Sequence, residues 1–150
     1  MNICTDAGFL IGLYDETDQY HGEAARHFDS LFEPGSNRLV IPWPVLYEAV
    51  STRMARRPKS LALFERHWKH LLRRQQLELL SDLPFRDGVV EECFEETGQR
   101  HYRALSAVDR VLRRILANSR LQIHAFITFN PTDFADVCRK FGRQLYPEGD

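Results

Sequence analysis

Four short apolar runs, separated by long helix-patterned stretches, constrain the fold of this chain more than any other feature. They are Asn2–Thr5, Arg38–Ile41, Leu77–Leu80 and Ala125–Phe129, with Gln144–Tyr146 as a candidate fifth. Runs this short and this apolar suit strands buried on both faces, the habit of parallel sheets. The stretches between the first four far exceed the about two to five residues that close a hairpin. They are long enough for helical crossovers, so the strands pair in parallel. The expectation is an α/β fold on a central, mostly parallel sheet of four or five strands, with residues 1–150 as a single domain.

The intervening segments carry helix signals. Ala7–Tyr14 and His21–Phe32 read as helices, and Pro34-Gly35-Ser36-Asn37 as a turn. Pro44 suits the first position of a helix running to about Arg56, Pro58 breaks it, and a further helix covers Ser60 to about Arg73. Phe85–Glu96 reads as a helix with Val89, Val90, Cys93 and Phe94 on one face, stopped by Gly98. Ser106–Asn118 has Val108, Val111, Leu112, Ile115 and Leu116 on one stripe, and Asn130-Pro131 opens a last helix to about Phe141.

Composition narrows the function classes. No apolar run approaches the roughly 18–20 residues that span a bilayer. The first apolar stretch is interrupted by Asp6 and lacks a basic flank, which argues against a signal peptide. Cys4, Cys93 and Cys138 form neither a CxxC pair nor a disulfide framework, which fits a reducing cytoplasm. The net charge of −1 conceals an uneven distribution. Residues 53–74 hold eight basic groups against Glu65, residues 82–96 six acids against Arg86, and residues 100–120 six arginines against Asp109. Basic stretches beside a carboxylate site suit an enzyme acting on a polyanion. Solvated helix faces account for the same pattern. His67-x-x-His70 reads as a surface or partner-facing pair rather than a zinc site. The chain has no Gly-rich phosphate loop, no GxSxG and no Cys–His nucleophile signature.

Four acids carry the chemistry: Asp6, Glu48, Asp109 and Asp133. Three of them lie just past a strand run, and Asp109 lies near the start of the Ser106–Asn118 helix. Each has a plain alternative. Asp6 is a natural N-cap for the helix beginning at Ala7. Glu48 is a residue type common on helix surfaces, although its apolar neighbours place it close to the buried side. Ser106-x-x-Asp109 resembles a capping box. Asn130-Pro131-Thr132-Asp133 offers Asn130 as a cap and Asp133 in the first turn. Together, however, they gather at one edge of one sheet, where open parallel folds bind ligands. Carboxylates gathered there repel unless a cation lies between them, which points to a hard ion such as Mg²⁺ or Mn²⁺. Either Asn130 or Asp133 supplies the fourth oxygen.

These residues resemble the four motifs of the PIN-domain ribonucleases, and most closely the VapC-type toxins of toxin–antitoxin pairs. The first is Thr5-Asp6-Ala7-Gly8-Phe9-Leu10-Ile11, followed by Asp15, Asp18 and His21. The second is Pro44-Val45-Leu46-Tyr47-Glu48-Ala49-Val50, the third Leu105-Ser106-Ala107-Val108-Asp109-Arg110-Val111-Leu112, and the fourth Ile127-Thr128-Phe129-Asn130-Pro131-Thr132-Asp133-Phe134. The third motif departs from the family pattern, with Arg110, Arg113 and Arg114 where small residues are common. The resemblance implies a three-layer α/β/α domain and metal-dependent endoribonuclease activity, cleaving RNA phosphodiesters by metal-activated water. Asp6, Glu48, Asp109 and Asp133, with Asn130, would hold the Mg²⁺ or Mn²⁺, and Thr5 and Thr128 would orient a ligand or water. Arg110, Arg113, Arg53 and Arg56 are candidates for binding RNA phosphate. The partners implied are the RNA, a cognate antitoxin and a second copy in a homodimer, with no membrane. The alternatives are a housekeeping RNA-processing nuclease, a non-catalytic RNA-binding protein with a vestigial site, and a phosphatase using Asp6 as nucleophile. For the phosphatase the second acid is missing, because Gly8 stands at its position.

Overall fold

A computed structural model describes residues 1–51, 53–101 and 103–148. Five strands form one sheet: β1 (Asn2–Thr5), β2 (Arg38–Pro42), β3 (Leu77–Leu80), β4 (Ala125–Ile127) and β5 (Gln144–Tyr146). Every pairing is parallel, in the order β3-β2-β1-β4-β5. Among the described residues seven helices flank it: α1 (Ala7–Tyr14), α2 (His21–Phe32), α3 (Trp43–Ser51), α4 (Pro58–Arg73), α5 (Val89–Glu96), α6 (Ala107–Ala117) and α7 (Ala135–Lys140). Among the described residues no helix is long and apolar enough to cross a membrane.

The strand order locates the ligand edge. From β1 the chain builds outward through β2 to β3, then returns to the other side of β1 with β4 and β5. Right-handed crossovers on the two sides place their helices on opposite faces of the sheet. The reversal makes the cleft between β1 and β4 the topological switch point, and it opens at the carboxyl ends of the strands. Thr5 pairs with Ile127 there, so Asp6 and Thr128 are the next residues out on either wall. The three central strands are buried almost throughout because helices cover both faces: Ile3, Cys4, Ala125, Phe126 and Ile127 are fully enclosed, while the edge strands β3 and β5 are only partly covered.

Several boundaries differ from expectation for identifiable reasons. Pro58 occupies the first turn of α4 and opens that helix rather than breaking the one before. The helix expected over 44–56 ends as α3 at Ser51 and is followed by a 3₁₀ turn, Met54–Arg56; position 52 lies outside the described residues. Gly88 adopts a left-handed φ of 75°. It divides the helix expected over 85–96 into a 3₁₀ turn, Leu83–Phe85, and α5. Strand β4 stops at Ile127, and the last helix is split into a 3₁₀ turn, Pro131–Asp133, and α7.

Two expected faces are corrected. On α5 only Val89 is buried, while Val90 and Phe94 are 52% and 68% exposed. This helix docks through Val89 in the core and through the ion pairs of Glu92 and Glu96 to α6, not through Val90 and Phe94. His67 does not face outward. Its ring stacks on Phe28 at 4.6 Å and meets Tyr14 edge-on at 5.3 Å, because it shares the apolar side of α4 with Leu63, Phe64 and Leu71. Burial lowers its pKa.

Candidate active site

Asp6 stands at the switch point, buried to 9% exposure, and its carboxylate has two tasks. Oδ1 accepts the Phe9 N–H at 2.9 Å, which caps α1. Oδ2 accepts the Thr128 hydroxyl at 2.5 Å from across the cleft. Thr128 Oγ1 in turn accepts the Asn130 N–H at 2.9 Å, so the loop after β4 is tied to the acid after β1. Gly8 leaves the carboxylate open on the helix side: a Cβ there would come no nearer than 3.6 Å to its oxygens.

Electrostatics bring two further acids to this point. Burial pushes the Asp6 pKa up to about 6; the two hydrogen bonds oppose the rise, and the charges of Asp109 and Glu48 add to it. Glu48 is raised first by partial loss of hydration and then by Asp109. Asp6 therefore lies within the field of both Asp109 and Glu48, and Glu48 within that of Asp109. Glu48 itself is on the exposed side of α3 beside Tyr47, not near the buried side as its apolar neighbours suggest. Asp109 completes the capping box: its N–H is accepted by Ser106 Oγ at 3.1 Å, and its Oδ2 accepts the Ser106 N–H at 3.3 Å. Capping and proximity to Asp6 coexist, because the first turn of α6 points at the strand ends.

Asp133 takes a different position. Its Oδ2 accepts the Asn130 side-chain amide at 2.5 Å, and its backbone carbonyl accepts Arg113 at 2.6 Å. It is not among the leading charges that raise Asp6. Asn130, by contrast, lines the same cavity as Asp6. Thr5 directs its hydroxyl to the backbone oxygens of Asp6 and Ile127 and so stays within the sheet. Among the described residues no three His, Cys, Asp or Glu side chains are drawn together tightly enough to enclose an ion. The donor set at the cleft is nonetheless all oxygen, mutually repelling and partly exposed, which is the chemistry a hard divalent cation relieves.

Of the arginines expected to bind phosphate, two are not free to do so. Arg110 is 2% exposed and paired with Glu92 at 3.2 Å and Glu96 at 2.7 Å from α5. Arg113 makes a two-pronged pair with Asp136, at 2.7 and 2.8 Å. Glu92 and Glu96 of α5 thus neutralise Arg110 and Arg114, while Asp136 of α7 neutralises Arg113. Arg110→Ala is expected to cost about 3 kcal/mol, the lower end for a broken buried pair, and urea unfolding midpoints check it. Arg56 is exposed. Arg53 is exposed along its side chain, contacts Asp18 at 3.3 Å and lines the cavity beside Asp6.

That cavity, about 450 Å³, is also lined by Tyr20 and Phe129, which no local sequence pattern singles out. Their rings stack at 4.3 Å and 5°. The nearest sequence signal is Asp18, whose Oδ1 accepts the Tyr20 N–H at 2.9 Å and turns the chain into α2.

No protein-family model and no curated protein matches the sequence. Solved structures do. The Mycobacterium tuberculosis toxin VapC20, which cleaves the sarcin–ricin loop, superposes with a TM-score of 0.60 at 18% identity, over 89% of this chain and 94% of its own. PAE2754 of Pyrobaculum aerophilum superposes with a TM-score of 0.52 at 21% identity, over 97% and 83%. The all-parallel five-stranded sheet and its seven flanking helices give this chain a PIN-like fold, the fold of the VapC-type toxin VapC20.

Proposed function

We propose that this protein is a divalent-metal-dependent endoribonuclease that hydrolyses RNA phosphodiesters, and that it is the toxin of a toxin–antitoxin pair. The reading is carried by one observation: the charges of Asp6, Glu48 and Asp109 meet at the switch point of the sheet. The fold shared with a toxin that cleaves the sarcin–ricin loop supports it.

In this reading Asp6, Glu48 and Asp109, with Asn130 or Asp133, would hold Mg²⁺ or Mn²⁺. The bound cation supplies water activation and neutralises phosphate charge. The rest is the work of the chain. Thr128 fixes the rotamer of Asp6 by donating to Oδ2, and the Phe9 N–H fixes the other oxygen. Asp6 therefore presents its carboxylate in one orientation without waiting for substrate. Glu48, on the exposed rim, is free to swing. Arg53 meets the RNA backbone at the mouth. A small antitoxin that covers this cavity and a second copy in a homodimer are the protein partners the reading implies.

The test is cleavage of a mixed pool of structured RNAs by purified protein, with Mg²⁺ or Mn²⁺ against EDTA. Cutting is expected only with metal, lost in EDTA and restored when the ion is returned in excess. RNA binding without cutting under any ion would favour the non-catalytic reading instead.

A further inference from the structure

The cavity beside Asp6 carries more than the acids use. Three of its features have no part in holding a cation: the stacked pair Tyr20–Phe129, the guanidinium of Arg53, and the volume between them. The aromatic pair is layered. Phe129 also lies against Phe9 at 5.9 Å, and Phe9 is fully buried, so Phe129 is the inner ring and Tyr20 the outer. Gly12 lies beneath the pair, where a Cβ would stand in contact, 3.4 Å from both Phe129 and Tyr20. Asp18 holds the platform from the other side: Oδ1 accepts the Tyr20 N–H and Oδ2 pairs with Arg53 at 3.3 Å. One carboxylate therefore sets an aromatic ring and a cation at the mouth of the same cavity. Its volume of about 450 Å³ falls within the range of about 300–1,000 Å³ of small-molecule sites.

We infer that this cavity is a nucleotide subsite, which takes one unpaired nucleotide next to the cleaved phosphate, with its base against Tyr20–Phe129 and its phosphate on Arg53. The inference rests on the ribonuclease reading and adds to it the residues that take the nucleotide beside the cleaved phosphate. A base inside a duplex has both faces covered, so an aromatic platform selects single-stranded loops, bulges and ends. Such stacking tolerates any base, because every base has a π-face. Arg53 supplies a positional, sequence-independent phosphate contact. Asn130 at the cavity wall offers an amide for the base edge.

The experiment measures binding in EDTA, where no cleavage occurs, with two probes. One is a single-stranded RNA oligonucleotide carrying 2-aminopurine, with its fully paired duplex as the control; the other is adenosine 5′-monophosphate followed by NMR. Tyr20→Leu is expected to weaken binding of the single strand roughly tenfold. It should leave the duplex unchanged, and Tyr20→Trp should restore the affinity. Arg53→Ala, on the surface and without risk to the fold, should weaken single-strand binding and reduce its salt dependence by about one phosphate contact. Melting curves establish that the Tyr20 variants are folded. Single-strand affinity equal to the parent's in both Tyr20→Leu and Arg53→Ala, in a parent that cuts RNA, overturns the subsite and spares the ribonuclease reading. Monophosphate binding weakened by Tyr20→Leu, in a parent that never cuts RNA, supports the subsite and discards that reading. A parent that binds neither probe overturns the subsite whatever its cleavage assay shows.

Discussion

Asparagine at position 6 is expected to slow RNA cleavage by about a hundredfold to a thousandfold, in a protein that still folds and melts cooperatively. The magnitude follows from what is lost. Removing one preorganised group that stabilises charge in a transition state costs about a hundredfold to a thousandfold. Asp6 is the innermost of the three interacting acids and the one whose rotamer is fixed at both oxygens. The fold should survive because asparagine keeps an oxygen for the Phe9 N–H, while the Thr128 hydroxyl can turn to accept from the amide. Single-turnover cleavage by parent and variant at equal Mn²⁺, with thermal melts of both, checks the two halves together. A rate within tenfold of the parent's would take Asp6 out of the reaction.

What was legible in the sequence follows from how far the deciding interaction reaches. The core strands were legible because each is a local apolar run whose burial is decided by neighbours of the same kind. Asp6 and Asp109 are readable locally as an acid past a strand and an acid at the head of a striped helix; that the charge of Asp109 reaches Asp6 depends on the assembled fold. Arg110 was misjudged because a local reading sees only an arginine near an acid. Its burial is decided by Glu92 and Glu96, contributed from α5 across the loop that separates the helices. The same pairs explain why Val90 and Phe94 stay exposed: α5 turned its acidic edge to α6, and the apolar stripe went outward. Tyr20 and Phe129 come from opposite ends of the chain and follow no period. Only the assembled cleft between β1 and β4 brings the rings together.

Without divalent ions, the protein is expected to be most stable near pH 4 and to lose stability toward pH 8, and Mn²⁺ is expected to reverse that slope. The sign follows from Asp6. Its folded pKa is about 6 against an ordinary value of 3.8, so between these values the folded protein holds a proton that the unfolded chain has released. The associated stability is fully present below about pH 4 and is lost as pH rises through about 6. The shift corresponds to about 3 kcal/mol. Asp136 works in the opposite direction. Arg113, through its hydrogen bonds, holds its carboxyl well below the usual range, with Arg103 adding to this, so its contribution is present above about pH 4 and lost on further acidification. The two windows meet near pH 4. Urea midpoints from pH 4.5 to 8 in EDTA should therefore fall toward high pH for the parent and stay flat for Asp6→Asn, leaving the variant the more stable protein at pH 8. A cation at the cleft favours ionised Asp6, so Mn²⁺ should raise the parent's midpoint most at high pH, by mass action, and leave the variant nearly unmoved. Parallel pH curves for parent and variant would mean that Asp6 is solvated in the free protein, and that the three acids do not share a field.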